Sequence, residues 1–149
     1  MERTLILAKP DAVQRGLIGE VVTRFERRGL QIVGMKLVHV ATALAREHYK
    51  EHVGKPFFKG LVDYITSTPV LAMVVEGPNA IEICRTTIGA TNPVAATPGS
   101  IRGDFGVEVG RNLVHGSDSA KSAKREIKLF FKASELVGYK RSVQRRITE

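Results

Sequence analysis

An α+β fold is predicted, with a β-α-β-β-α-β core and helices on one face of an antiparallel sheet. Four short apolar runs, Thr4–Ala8, Gln31–Val40, Val70–Val75 and Leu113–Val114, have the length and composition of strands. Segments of helical periodicity separate them in the order strand, helix, strand, two short helices, strand, helix, strand, helix. That alternation suits a sheet covered by its crossover helices. At 149 residues the chain is long enough to bury about two-thirds of its unfolded surface, and no repeat or low-complexity stretch divides it. One domain spanning residues 1–149 is expected.

The elements follow from local signals. Thr4–Ala8 is an apolar strand closed by a turn at Pro10-Asp11. Leu17, Val21, Val22 and Phe25 recur at helical spacing, and Gly29 stops that helix. Gln31–Val40 carries Ile32, Val33, Met35, Leu37 and Val38 as a second strand. Helical segments follow over Ala43–His52 and Phe57–Ser67, split by Gly54-Lys55-Pro56. Val70–Val75 is a buried strand, and Asn79 is the expected N-cap of a helix ending at Ile88. From Thr91 to Arg111 the sequence is rich in Gly, Pro, Asn and Thr and lacks periodicity, the mark of a functional or interface loop. Leu113 and Val114 form the last strand, and Asp118 or Ser119 caps a helix over Ala120–Phe131.

Composition narrows the function classes. No apolar run reaches the ~18 residues of a membrane span, and Met1-Glu2-Arg3 does not open a signal peptide, so no membrane partner and a cytoplasmic location are expected. A single cysteine, Cys84, excludes an internal disulfide and a cysteine-based zinc site. The net charge of +8 suits highly charged anionic ligands, although Lys140, Arg141, Arg145 and Arg146 place part of it in a solvated tail.

The most informative segment is Asn112-Leu113-Val114-His115-Gly116-Ser117-Asp118-Ser119. It sets one histidine at a strand-to-helix corner, beside the unpaired N–H groups of a helix start, where a phosphate is stabilised. Imidazole, with an unperturbed pKa of ~6.5, is largely neutral at pH 7 and can attack phosphorus without a strong base. A lone His-Gly is more often a turn residue. Two features favour chemistry here. Glu126 shares a helical face with Ser119 and Ser122 and can fix the ring from behind. Lys9, Arg85 and Arg102 lie beside Gly- or Pro-marked turns, where cations can converge on phosphates.

Several segments make a resemblance specific: Thr4-Leu5-Ile6-Leu7-Ala8-Lys9-Pro10-Asp11, then Gln14-Arg15-Gly16-Leu17, Thr91-Asn92-Pro93, Pro98-Gly99-Ser100-Ile101-Arg102-Gly103-Asp104-Phe105, and Asn112 to Ser119. In this order, and over essentially the whole length, the chain resembles the nucleoside diphosphate kinases. The resemblance implies a ferredoxin-like fold and transfer of a γ-phosphate from a nucleoside triphosphate to a diphosphate through a phosphohistidine. It implies His115 as nucleophile through Nδ1, Glu126 orienting the ring, and Ser117 supporting both. Lys9 would meet the transferring phosphoryl group and the ribose side. Arg85, Thr91 and Arg102 would hold phosphates, and Asn112 would bond the sugar. Phe57 would stack on the base between Leu61 and Val109, with Tyr49 at the rim of the phosphate site. Mg²⁺ would come with the nucleotide, with no protein cage. Assembly is implied as a homo-oligomer, a hexamer in preference to a tetramer, with the loop from Thr91 to Gly110 at its threefold contact.

Rival readings have weaker support. His48-Tyr49-Lys50-Glu51-His52 matches a zinc-protease pattern, H-x-x-E-H, but Gly54 and Pro56 end that helix at once, and solvated histidines are expected. Arg102-Gly103-Asp104-Phe105-Gly106-Val107 faintly resembles an RNA-binding strand, yet Asp104 occupies its aromatic position and only 6% of residues are aromatic. A basic nucleic-acid-binding module on the same fold is thus the alternative, with weak nucleic-acid association as a secondary property. Phe57 taken alone would be a core residue. A catalytically idle relative would have lost the histidine or its cations, and this chain keeps them.

Overall fold

The computed structural model describes residues 1–149. Strands β1 (Glu2–Ala8), β2 (Gln31–Val38), β3 (Val70–Gly77) and β4 (Val114–Gly116) form one sheet in the order β2-β3-β1-β4, every neighbouring pair antiparallel. Helices α1 (Pro10–Gln14) and α2 (Ile18–Arg27) join β1 to β2, and α3 (Thr42–His48) and α4 (Phe58–Ile65) join β2 to β3. Between β3 and β4 lie α5 (Ala80–Ile88) and α6 (Ile101–Phe105), and α7 (Ala120–Phe130) follows β4. With α2 and α5 as its crossovers, this is the expected ferredoxin-like core, and α3 and α4 are the paired helices inserted after the second strand.

Helices cover both faces of the sheet, not one. Ile6, Ala8, Met73 and Val75 pack with Val21 and Phe25 of α2 and Cys84 and Ile88 of α5. On the opposite face, Leu5, Leu7, Ala72 and Val74 pack with Ala45, Val62, Ile65 and Phe130 of α3, α4 and α7. Alternate residues of β1 and β3 therefore face two apolar layers, which is why both strands read as continuous apolar runs. The second layer is extended by the C-terminal segment, whose Val137 N–H donates to Val33 O at the β2 bulge (2.7 Å). At Gly34 a Cβ would lie 2.8 Å from Leu136, so glycine is what lets that segment close on the strand.

Several boundaries differ from expectation. The Pro10-Asp11 turn is a short helix, with Pro10 at its first position, where a missing N–H costs nothing. The expected helix over Ala43–His52 ends at His48 and continues only as a 3-10 turn, Lys50–His52. Asn79 is the N-cap of α5, but the bond comes from elsewhere: Glu2 of β1 accepts from Ile81 N–H at 2.8 Å. The aperiodic stretch from Thr91 to Arg111 contains α6, capped by Ser100, whose hydroxyl accepts from Gly103 N–H (3.1 Å). Arg24 pins it with a 2.8 Å ion pair to Asp104, while its other nitrogen donates to Gly99 O. The residues faintly like an RNA-binding strand, Arg102 to Val107, are thus mostly this helix, which removes the basis for that reading.

Candidate active site

His115 lies within β4, not after it; its backbone is opposite Leu7 of β1. The strand starts one residue later than expected because Leu113 adopts a left-handed turn (φ 71°). His115 Nε2 meets Glu126 Oε1 at 2.5 Å, and Ser117 Oγ donates to the same oxygen at 3.2 Å. Glu126 is 4% exposed, turned inward from α7, which Ser119 caps. Burial alone would raise its carboxyl pKa, but the hydrogen bond and charge of His115, with help from His48 and Ser117, outweigh this and hold it below the ordinary value. An ionised Glu126 accepts a hydrogen bond from Nε2–H, which leaves the Nδ1 lone pair free.

Three cations are tied to this strand. Arg102 donates from Nε to Asn112 O (3.0 Å) and from its terminal nitrogens to Val114 O (2.5 Å) and Gly89 O (3.1 Å). Arg85 of α5 reaches Gly116 O at 3.3 Å. Lys9 Nζ, at the end of β1, donates to Asn112 Oδ1, and Asn112 Nδ2 donates to Thr91 O at 3.0 Å. Burial lowers the Lys9 ammonium to about 8, Asp11 partly opposing it and Arg102 and Arg111 adding to it. Burial, with the neighbouring Arg85 charge, lowers Arg102 to about 10 against the pull of Asp11, so it stays a cation at neutral pH.

Lys9, His48, Arg85, Thr91, Arg102, Asn112, His115 and Glu126 line one cleft of about 560 Å³, while Ser117 meets Glu126 from outside its lining. Tyr49, Phe57, Leu61 and Val109 line it too. Phe57 is 52% exposed at its mouth, so the core reading of that residue fails. The volume is that of a small-molecule site, roughly 300–1,000 Å³, and its lining combines the cations Lys9, Arg85 and Arg102 with the apolar Phe57, Leu61 and Val109.

His48 was missed as a site residue and is not solvated as expected. It is 5% exposed, its ring is edge-on to His115 with centroids 4.9 Å apart, and it packs likewise on Phe130. Burial, then the charge of His115, lowers it to about 3 against Glu126, so it stays neutral beside the His115 ring. The signal was available: Ala45 and His48 form the buried stripe of α3 at i, i+3. His52 is not on that stripe, which disposes of the H-x-x-E-H pattern. His48, His115 and Glu126 do offer ligand atoms within 4.8 Å of one another. However, His115 and Glu126 are in direct contact at 2.5 Å, closer than the roughly 3.3 Å separating two ligands of one tetrahedral zinc. Arg125, Asp118 and Ser122, also missed, complete the wall from the α7 side.

A histidine braced by a buried carboxylate, facing a cleft with Lys9, Arg85 and Arg102, defines a protein that handles phosphorylated ligands. The family model for nucleoside diphosphate kinase matches residues 2–136. The chain is 61% identical over 142 residues to the nucleoside diphosphate kinase of Archaeoglobus fulgidus, covering 95% of this chain and 94% of that one. It is 60% identical to that of Herpetosiphon aurantiacus over the full length of both. A nucleoside diphosphate kinase from Halobacterium salinarum, solved in complex with CDP, superimposes with a TM-score of 0.97 at 51% identity, covering 99% of each chain. The Babesia bovis family protein gives 0.97 at 50% identity, covering 99% of this chain and all of that one. The chain belongs to the nucleoside diphosphate kinase family.

Proposed function

We propose that the cleft carries out the family reaction, γ-phosphate transfer from a nucleoside triphosphate to a nucleoside diphosphate, with His115 as the relay. The observation that carries this is the Glu126–His115 contact, which leaves Nδ1 as the free nucleophilic nitrogen. Nδ1 attacks the γ-phosphorus, the bond to the β–γ bridging oxygen breaks, and the diphosphate leaves. A second diphosphate then attacks through a β-phosphate oxygen, the P–N bond breaks, and His115 is regenerated. Glu126 accepts the Nε2–H hydrogen bond throughout and balances the charge on the ring. Ser117 fixes the carboxylate. Arg85, Arg102 and Thr91 hold the phosphates, Lys9 meets the transferring group, and Asn112 takes a sugar hydroxyl. Since the transition state is loose and highly charged, placed cations provide most of the rate.

Phe57 stacks on the base, with Leu61 and Val109 as walls, and Tyr49 closes the phosphate end. A ring accepts every base by its π-face, so weak base selectivity is expected. The acids of the cleft are Glu51, Asp118 and Glu126, and Glu126 is committed to His115. With that set, Mg²⁺ would be carried by the nucleotide and would supply charge neutralisation at its phosphates. Steady-state rates with varied MgATP and GDP test the reading: parallel double-reciprocal lines are expected, and intersecting lines would mean direct transfer without His115.

Lys9 gives this reading a pH signature. Its free-state value of about 8 must rise when a phosphate arrives, so binding takes up a proton. Diphosphate affinity is therefore expected to hold up to pH 8 and then weaken, on the order of tenfold per pH unit at most. Calorimetry from pH 7 to 9.5 checks this, and Lys9→Met removes the dependence.

The whole chain is read as one such domain, in the cytoplasm, where the buried thiol of Cys84 stays reduced. No helix is long and apolar enough to cross a membrane. We favour a hexamer over a tetramer, supported by Val94 and Val107, apolar residues 80% and 82% exposed on the segment between α5 and β4. Light scattering is expected to give six times the 16.3 kDa chain mass, and four times would overturn it.

A further inference from the structure

We infer that Asp11 is a positioning residue for phosphoryl transfer: its buried carboxylate clamps Leu113 in the left-handed turn that aims Asn112 and His115 into the cleft. The inference rests on His115 being the nucleophile.

Leu113 is in conflict with itself. Its side chain is fully buried between the layers, where leucine is wanted, with Ile101 and Val114 in the same cluster. Its backbone is a γ-turn, with Val114 N–H donating to Asn112 O at 2.8 Å and φ at 71°. That geometry is strained for any residue with a Cβ, by about 1–3 kcal/mol. Glycine would relieve the strain but leave a hole. Something must hold the turn.

The segment Lys9-Pro10-Asp11 does so. Asp11 Oδ2 accepts the Leu113 N–H at 2.9 Å, and Lys9 N–H donates to Leu113 O at 2.8 Å. Both polar groups of the strained residue are thus held by the start of α1, where Pro10 fixes the chain direction. A charged acceptor makes the stronger bond. One residue before the turn, Asn112 binds the Lys9 ammonium and, through its carbonyl, Arg102. Two residues after it comes His115. Released, the turn would shift the sugar contact, both cations and the nucleophile together.

Asp11→Ala and Asp11→Asn test this by rapid-quench measurement of His115 phosphorylation from MgATP, with melting curves and diphosphate affinity alongside. Asp11→Ala is expected to slow phosphorylation about 100-fold, and diphosphate affinity is expected to weaken with it as the Asn112 sugar contact and the two cations shift. Asp11→Asn retains an acceptor oxygen and is expected to recover most of the rate. Adding Leu113→Gly, which makes positive φ free, should shrink the Asp11→Ala penalty. An Asp11→Ala penalty that is the same with and without Leu113→Gly, or Asp11→Asn as slow as Asp11→Ala, overturns the clamp. If Asp11→Ala does not fold, the Asp11→Asn rate decides: near wild type supports the clamp, and a large loss overturns it. Absence of phosphoenzyme in the wild type would instead defeat the reading of His115.

Discussion

His115→Ala is expected to lose phosphate transfer by a factor on the order of 10⁴ or more, the scale seen when a covalent nucleophile is removed. The backbone of β4 is held by its pairing to β1, so the fold and diphosphate binding should persist. A second consequence concerns stability. Glu126 would lose its nearest partner and keep only Ser117 in a buried position. Because the folded state holds the Glu126 carboxyl below its ordinary 4.5, it contributes stability that is present above that value and lost as pH falls through the depressed one. The variant should therefore melt below wild type at pH 7, with the gap closing in acid. Kinetics and melting curves from pH 7 down to 3 check both. Transfer above about 1% of wild type would contradict a covalent histidine.

Arg102→Ala is expected to be the most damaging cation substitution, for two separable reasons. Three of its N–H groups hold the carbonyls of Asn112, Val114 and Gly89, leaving about two of the five guanidinium donors for a phosphate. Loss of the phosphate contact should lower kcat/KM about 10²- to 10³-fold. Loss of the three carbonyl partners should cost about 3 kcal/mol, roughly 6–12 °C in Tm. Arg85 is the control. It is exposed and spends only one long bond on Gly116 O, so Arg85→Ala should give a comparable kinetic loss with little change in Tm. If Arg102→Ala melts like wild type, Arg102 does not brace the strand.

The legibility of this site in the sequence was uneven, for physical reasons. Strands β1 and β3 are legible as continuous apolar runs, and helices α2, α5 and α7 are long enough for a period to emerge. Glu126 could be aimed at His115 because helical spacing is local arithmetic. Lys9, Arg102, Asn112 and Phe57 are brought together from distant segments, and only the family resemblance assembled them; spacing alone could not. The two five-residue helices, α1 and α6, are too short to show a period, and α6 is held by the remote Arg24. Leu113 gave no sign of a left-handed turn because leucine does not advertise one; the clamp on it lies about a hundred residues away in sequence. The burial of His48 is hidden in the sequence because α3 is only seven residues long, so its buried stripe shows just two positions, Ala45 and His48.

Whether His115 carries the phosphate is tested by brief incubation with γ-labelled ATP and Mg²⁺, followed by acid and alkali treatment and a GDP chase. One acid-labile, alkali-stable label per chain is expected, absent in His115→Ala and converted to GTP by the chase. A protein that binds nucleotide but takes no label, or whose label survives His115→Ala, would contradict it.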